Sequence, residues 1–262
     1  MDGNVIELTY WQVLFGYIFV LFVLYILRRR AIKRESVLII ATLRMTFQLV
    51  AVGYALTLII ENPHPLLTLA VVFVMLGFAV FTVFRKFKKE LTLSIKKVVA
   101  FTLPAGSLTS LAYFLFVVIR VEPYYNPQYF IPITGMIVGN SMTGITLGIH
   151  TLLNRFTDQK EAVIEALHLG ATPKDASHGI VNEAFDAAIM PTVNNMLGMG
   201  IIFLPGMMTG QILSGVAPTT AIMYQIGVML GILGGVALST YLFLLFGYRT
   251  FFNKDAQLKT MV

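Results

Sequence analysis

Cysteine is absent from the 262-residue sequence, which excludes a disulfide framework, a thiol nucleophile and a thiolate metal site. Charge is scarce: Asp, Glu, Lys and Arg make up 12% of the chain, where a soluble domain carries about 25%. No GxxxxGK[ST] pattern occurs, so there is no phosphate-cradling loop of that kind. None of the thirteen Asp and Glu falls in the middle of an apolar run. A proton-coupled carrier usually relays protons through an intramembrane carboxylate or His, so that class of transporter is disfavoured. What the chain has in quantity is apolar surface, 57% of its residues, with a mean hydropathy of +0.79. Apolar runs longer than ~18 residues recur along its whole length and leave no room for a separate soluble domain. The composition is that of an all-α integral membrane protein.

Seven spans can be drawn, at 8–27, 36–60, 65–84, 98–119, 129–153, 190–216 and 218–246, forming a single transmembrane domain over 1–262. The pI of about 9.5 does not point to nucleic acid, because the bases cluster at the ends of the apolar runs, where they set topology. Asp2 and Glu7 precede the first run, while Arg28, Arg29, Arg30, Lys33 and Arg34 follow it, the reverse of a signal peptide. Tyr10 and Trp11 suit an interfacial belt at its outer end. Apart from Arg44 and Arg120, all nineteen Lys and Arg lie at alternate loops and the tail, including Arg85, Lys86, Lys88, Lys89, Lys96 and Lys97 after the third span. The opposite turns, ENPHP (61–65), EPYYNPQ (122–128) and GVAP (215–218), are short and built on turn residues. The bias places the N-terminus outside and the C-terminus in the cytosol of a multi-pass membrane protein.

The spans differ in kind. The first, third and fourth are expected to be lipid-facing helices, rich in Leu, Val and Phe with few small residues. Gly135/Gly139 and Gly144/Gly148 in the fifth, Gly206/Gly210 in the sixth and Gly227/Gly231/Gly235 in the seventh have the small-xxx-small spacing that lets helix backbones approach closely. Spans five to seven are therefore the expected packed core. Pro205-Gly206 interrupts the sixth span in its middle. Such a break is tolerated only where protein or a water-filled cavity covers it.

Between the fifth and sixth runs, residues 154–189 are polar and helically patterned. Asp158 followed by Glu161 has the form of a capping box. Val163, Ala166, Leu167 and Gly170 then fall on one face of a short helix that Gly170 ends. Thr172 can cap a second helix, with Pro173 at its first position and Asp175 in its first turn. Ala176, Ile180, Ala184, Ala187 and Ala188 line one face of that helix. An amphipathic linker lying on the membrane is the alternative, but such helices favour Trp, Phe and Lys, whereas Ala and Gly suit a protein groove.

The segment EALHLGATPKDA (165–176) is similar to the cytoplasmic coupling loop of ABC-importer permeases, where a Glu-Ala-Ala run and a Gly dock onto the ATP-binding subunit. Here Leu167 stands in place of the second Ala, and Gly170 comes one residue early. Taken with GMIVGNSM (135–142), LPGMMTGQILSGVAP (204–218) and Tyr224-Gln225, the chain resembles the Fet-type permeases (uncharacterised protein family 14), most strongly over 130–230. The resemblance implies the permease subunit of an ATP-driven ABC transporter, a homodimer in the lipid bilayer without enzymatic activity of its own. No cofactor would be bound by this chain; ATP and Mg would sit on a separate ATP-binding subunit at the cytosolic face. Docking of that subunit is expected at Glu161, Val163, Glu165, Ala166, Leu167, Gly170 and Ala171. The implied cargo is exported iron or a related metal solute, with a nucleotide sugar or other small solute as the alternative. An ATP-independent channel or carrier is the reading outside that family.

Candidates for a translocation path are the polar and helix-breaking residues within the spans. Arg44 and Gln48 share a face of the second; Asn140 and Ser141 lie in the fifth. Asn194, Asn195, Pro205, Gly206 and Gln211 lie in the sixth, and Gln225 in the seventh. Amides in lipid either pair between helices or line a cavity. For a metal the spans offer Met136, Met142, Met196, Met199, Met207 and Met208. Thioethers are soft ligands, better suited to reduced copper than to ferrous iron, and are also ordinary core filler. Gly139-Asn140-Ser141 with His150 superficially resembles an intramembrane serine protease. On one helix, however, Ser141 and His150 stand about 13 Å apart, too far for a nucleophile and its base.

Overall fold

The computed structural model describes residues 8–87 and 91–259; Asp2, Glu7, Lys88 and Lys89 lie outside the described residues. Among the described residues, six helical segments are long and apolar enough to cross a membrane: Tyr10–Arg29, Glu35–Glu61, Pro65–Lys86, Leu93–Ile119, Pro127–Asp158 and Pro218–Phe251. They match the expected first five spans and the last to within about five residues. In chain order α1 (Tyr10–Gly16) and α2 (Ile18–Arg29) make the first, and α3 (Glu35–Glu61) and α4 (Pro65–Lys86) the next two. The fourth is α5 (Leu93–Tyr113), continued by a π-helical turn over Phe114–Ile119. Then come α6 (Pro127–Asp158), α7 (Lys160–His168), α8 (Pro173–Ala176), α9 (His178–Gly198), α10 (Gly206–Leu213) and α11 (Pro218–Gly247), which ends in a 3-10 turn over Tyr248–Phe251.

The helix starts follow from local chemistry. Proline occupies the first turn of α4, α6, α8 and α11, where its missing N–H would have had no partner. The Thr92 hydroxyl accepts from the Ile95 N–H (3.4 Å) and Asn126 Oδ1 from the Gln128 N–H (3.1 Å), satisfying first-turn donors of α5 and α6.

The chain divides into two compact units. One comprises α1–α3 together with residues 213–215. Its helices bury no residue fully, as expected of helices whose solvent is lipid. Within it Tyr17 and Thr46 are joined by a hydrogen bond between their hydroxyls. The other unit holds the remaining helices and a single core.

The centre of that core is α11, packed against α5, α6 and α9. Small residues set these approaches. A Cβ on Gly106 of α5 would lie 2.4 Å from both Cα and N of Ser239 in α11. Around this crossing Ser110 donates to the Gly231 carbonyl (2.7 Å) and Ser239 to the Leu103 carbonyl (3.4 Å). Gly235 meets Ile137 and Ser141, and Gly144 meets Val236, Thr240 and the Ala188 carbonyl. The fourth span is thus a central partner rather than a lipid-facing helix: Val99, Leu103, Ser107 and Leu115 are fully buried. Its Ala105-Gly106-Ser107 run, with Ser110, gives it a small face that the surrounding Leu, Val and Phe obscured. Conversely, Gly139, Gly206 and Gly210 have nothing within reach of an added Cβ and make no close approach within the chain.

The expected sixth span over 190–216 is not a continuous helix. It belongs partly to α9, which starts in the polar segment at His178, and partly to the eight-residue α10. Between them Met199–Pro205 is non-helical, with Gly200 at φ +85° and a bridge pairing Met199 with Phe203. At 1.5 Å per residue α10 is about 12 Å long, well short of a bilayer core. The interruption is wider than the Pro205-Gly206 kink expected, because Gly198, Gly200 and Pro205 each weaken the helix within one short stretch.

Candidate translocation path and coupling site

The polar segment folds as an elbow. Asp158 is the last residue of α6 rather than the cap of a new helix, and no side chain caps α7 at Gln159. The α7 end is closed by backbone: the Ala171 N–H reaches the Ala166 carbonyl and the Gly170 N–H the Leu167 carbonyl, each at 3.0 Å. This is a Schellman ending, and it requires the left-handed φ of +92° that Gly170 adopts. The next turn starts at Thr172, whose hydroxyl donates to Asp175 Oδ2 (2.6 Å) and accepts from the Asp175 N–H (3.2 Å).

The elbow stands on an aromatic seat. Phe156, near the end of α6, stacks on Phe251 with centroids 4.3 Å apart and meets Phe252 edge-on at 5.9 Å. Val163 of α7 belongs to the same core cluster and is 2% exposed. Expected to be a docking residue, Val163 is therefore covered by its own chain. Of the expected apolar face only Val163 is fully buried, in the core cluster that also holds Phe156, Phe251 and Phe252. Ala166, Leu167 and Ala171 are half-buried, while Glu161, Glu165 and Gly170 are exposed. Leu169, which the periodicity did not single out, is 89% exposed and stands beside Gly170 at the tip.

A polar seam runs beside α6 and α9. The two helices pack through Gly144 and Gly148 against Ala184 and Ala188. Between the C-terminal end of α6 and the N-terminal half of α9 a cleft of about 480 Å³ is lined by His150, Thr151, Asn154, Arg155, Asp158, Glu183, Asp186 and Ala187. Arg155 Nε lies 2.6 Å from Glu183 Oε2, with both side chains nearly half exposed. Three carboxylates against one guanidinium leave the cleft acidic. Glu183 and Asp186 were not among the expected site residues; their i, i+3 spacing, which puts both on one side of α9, was the available signal. Thr143 on α6 and Met190, Asn194 and Asn195 on α9 are also exposed in the single chain.

At the helix break, Gln225 of α11 is 6% exposed and points its Nε2 at Met199 Sδ (3.9 Å), while its Oε1 has no partner. Tyr224 beside it faces Tyr129 with ring centroids 6.0 Å apart. The other expected path residues are dispersed. Asn140 donates to the Met136 carbonyl of its own helix (2.8 Å). Ser141 is fully buried against Gly235 with its Oγ unpartnered. Pro205 and Gln211 are half-buried, and Gly206 is exposed at the start of α10. Arg44 and Gln48 lie exposed on α3, in the other unit. Met136, Met142, Met196, Met199 and Met207 pack against the core and Met208 is buried in α10. Among the described residues no group of three or more His, Asp or Glu is placed to hold a metal ion.

The model of the uncharacterised protein family UPF0014 matches residues 10–252. The UPF0014 membrane protein YjkA of Bacillus subtilis is 32% identical over 250 residues, 92% of this chain and 95% of that protein. The probable iron export permease protein FetB of Escherichia coli is 34% identical over 215 residues, 82% of this chain and 81% of its own. The protein ALUMINUM SENSITIVE 3 of Arabidopsis thaliana is 38% identical over 167 residues, 64% and 60% of the two chains. No solved structure matches. With the family match spanning nearly all of an apolar, helical chain, the protein belongs to UPF0014 and is a multi-pass membrane protein suited to a bacterial inner membrane.

Proposed function

We propose that the chain is the permease subunit of an ATP-driven ABC transporter that exports iron or a related metal cation. In this reading α7 and α8 face the cytosol and receive a separate ATP-binding subunit, with the N-terminus outside. The observation that carries it is the elbow: a Schellman-closed helix with Leu169 and Gly170 presented at its tip, on an aromatic seat that continues into α6 and α11. A force on the tip would be delivered to two membrane helices rather than absorbed by a loose linker. The name of the Escherichia coli relative supports the cargo, and the acidic cleft favours a cation over an anionic nucleotide sugar.

Two copies are required in this reading. Polar side chains such as Asn194 that meet no partner among the described residues are costly against lipid. Covering α6 and α9 with the same face of a second copy, an isologous arrangement, would remove them from lipid and enclose a polar path. The unoccupied approaches at Gly206 and Gly210 suit such a second packing surface.

The test is transport in inverted membrane vesicles holding the chain and its ATP-binding subunit, with Fe²⁺ and a nucleotide sugar offered in parallel. Fe²⁺ accumulation that needs MgATP and the second subunit is expected. Equal accumulation without either would overturn the ATP-driven reading; accumulation of the sugar alone would overturn the cargo.

A further inference from the structure

The ends of α9 and α11 enclose a second cavity, of about 290 Å³, on the face of α9 away from the acidic cleft. We propose that it is a binding site for the headgroup and upper chain of an anionic phospholipid. The inference rests on the groove itself and not on the transport reading.

The cavity's two chemistries are separated. Its walls are apolar, from Val181 and Phe185 on α9 to Tyr241, Leu244 and Leu245 on α11. Tyr241 and Leu245 are exposed in the chain, so the wall opens onto the lipid side. The mouth is polar and basic. Lys174, Ser177 and His178 line it from the α8–α9 junction. Arg249 adds a second permanent cation: its Nε lies 3.4 Å from the Tyr248 hydroxyl and its guanidinium 5.8 Å from the ring of Tyr248, which itself lines the cavity.

Among the described residues no carboxylate lines this cavity. Asp175, the nearest acid in sequence to Lys174, accepts the Thr172 hydroxyl at 2.6 Å. Glu183 is paired with Arg155, and with Asp186 lines the acidic cleft instead. Charge is therefore sorted across α9, acids toward α6 and bases toward α11. The basic mouth lies where the apolar run of α11 gives way to Tyr248-Arg249, the depth at which lipid phosphates lie. Basic pockets between helices at the cytosolic boundary are where acidic lipids are held. A soluble anion would leave the apolar wall unused, and a neutral lipid would leave the two cations without a counter-charge. At ~30 Å³ per water-sized atom the cavity takes about ten such atoms, enough for a phosphate and its glycerol.

The experiment uses full-length purified protein in detergent and measures binding by native mass spectrometry. Phosphatidylglycerol and phosphatidylcholine are titrated separately, with glycerol 3-phosphate as the chain-free arm. Each Lys or Arg near an acidic lipid contributes roughly fivefold, so Lys174 and Arg249 together predict roughly a thirtyfold preference for phosphatidylglycerol. Lys174→Ala with Arg249→Ala should abolish that preference, while Lys160→Ala with Lys254→Ala should keep it. Both pairs are on the surface, and monodispersity of each variant is checked first. Equal binding of the two lipids by the wild type would overturn the proposal, as would preference retained in the Lys174/Arg249 pair. Binding of glycerol 3-phosphate as tight as the lipid would overturn it in favour of a small-anion site.

Discussion

Replacing Gly106 by Ala tests whether the α5–α11 crossing holds the membrane domain together. The new Cβ would lie 2.4 Å from the Cα and N of Ser239, atoms of backbone that cannot rotate away. Carbon contacts settle at about 3.5–4.0 Å, so the two helices must separate by about 1 Å. That displacement takes the 2.7 Å bond from Ser110 to the Gly231 carbonyl beyond hydrogen-bonding range. It also breaks the longer contact from Ser239 to the Leu103 carbonyl. Overpacking costs ~1–3 kcal/mol, and each interhelical bond in a membrane adds roughly 0.6–1.7 kcal/mol. The combined loss is about 2–6 kcal/mol, partly offset by the ~1 kcal/mol helix-propensity advantage of Ala over Gly. Gly139→Ala is the matched control, since nothing lies within 4 Å of its added Cβ. The assay is thermal aggregation of detergent-solubilised protein followed by size-exclusion chromatography. Gly106→Ala should lose its monodisperse peak well below the wild-type temperature, while Gly139→Ala should match or exceed the wild type. A Gly106→Ala protein as stable as Gly139→Ala would refute the assigned close approach.

Gly170→Arg should abolish retention of the ATP-binding subunit in a pull-down while the permease stays monodisperse. A left-handed φ costs a non-glycine residue ~1–2 kcal/mol, which refolds the tip without touching the membrane core. Leu169→Ala should weaken the same association by ~1–3 kcal/mol, read as a five- to hundredfold change in affinity. Glu183→Gln should leave stability within ~1 kcal/mol, because its partner Arg155 is nearly half exposed and surface pairs are weak; Fe²⁺ accumulation in inverted vesicles should fall. Phe251→Ala removes the 4.3 Å stack on Phe156 and costs ~3–5 kcal/mol of local packing. It should raise the maleimide reactivity of a cysteine placed at Ala166, in a chain that has no other.

Span positions were legible wherever an apolar run was long, and illegible where its helix was broken. The stretch 190–216 has the length and hydropathy of one span, but three residues of low helix preference, Gly198, Gly200 and Pro205, fall within eight positions and divide it. The role of α5 was hidden for another reason. Leu, Val and Phe make up half of the expected span 98–119, while four small residues decide which face is buried. That Val163 shares a core with Phe251 and Phe252, far along the chain, was out of reach of any local pattern. Periodicity marks a face that is covered, but cannot distinguish a partner protein from Phe251 and Phe252 of the same chain. Leu169 escaped because it lies off the i, i+3, i+4 stripe, at the helix end where exposure is set by the Gly170 turn.

The division of charge across α9 follows from what each of its sides must meet. Asp186 and Glu183 sit beside Arg155 and Asp158 of α6, in a cleft too open to desolvate them. The side facing α11 carries Phe185 and Val181, with His178 at its start and Lys174 of α8 just before it. A helix lying wholly in lipid would not tolerate the first arrangement, and one lying wholly in cytosol would not need the second. One helix thus has a wet side toward α6 and a lipid-bounded side toward α11, and it ends in a break beside the buried amide of Gln225. Movement of the elbow would turn both sides together, because α8 and α9 are separated by Ser177 alone and the Ser177 hydroxyl donates back to the Pro173 carbonyl at 2.6 Å.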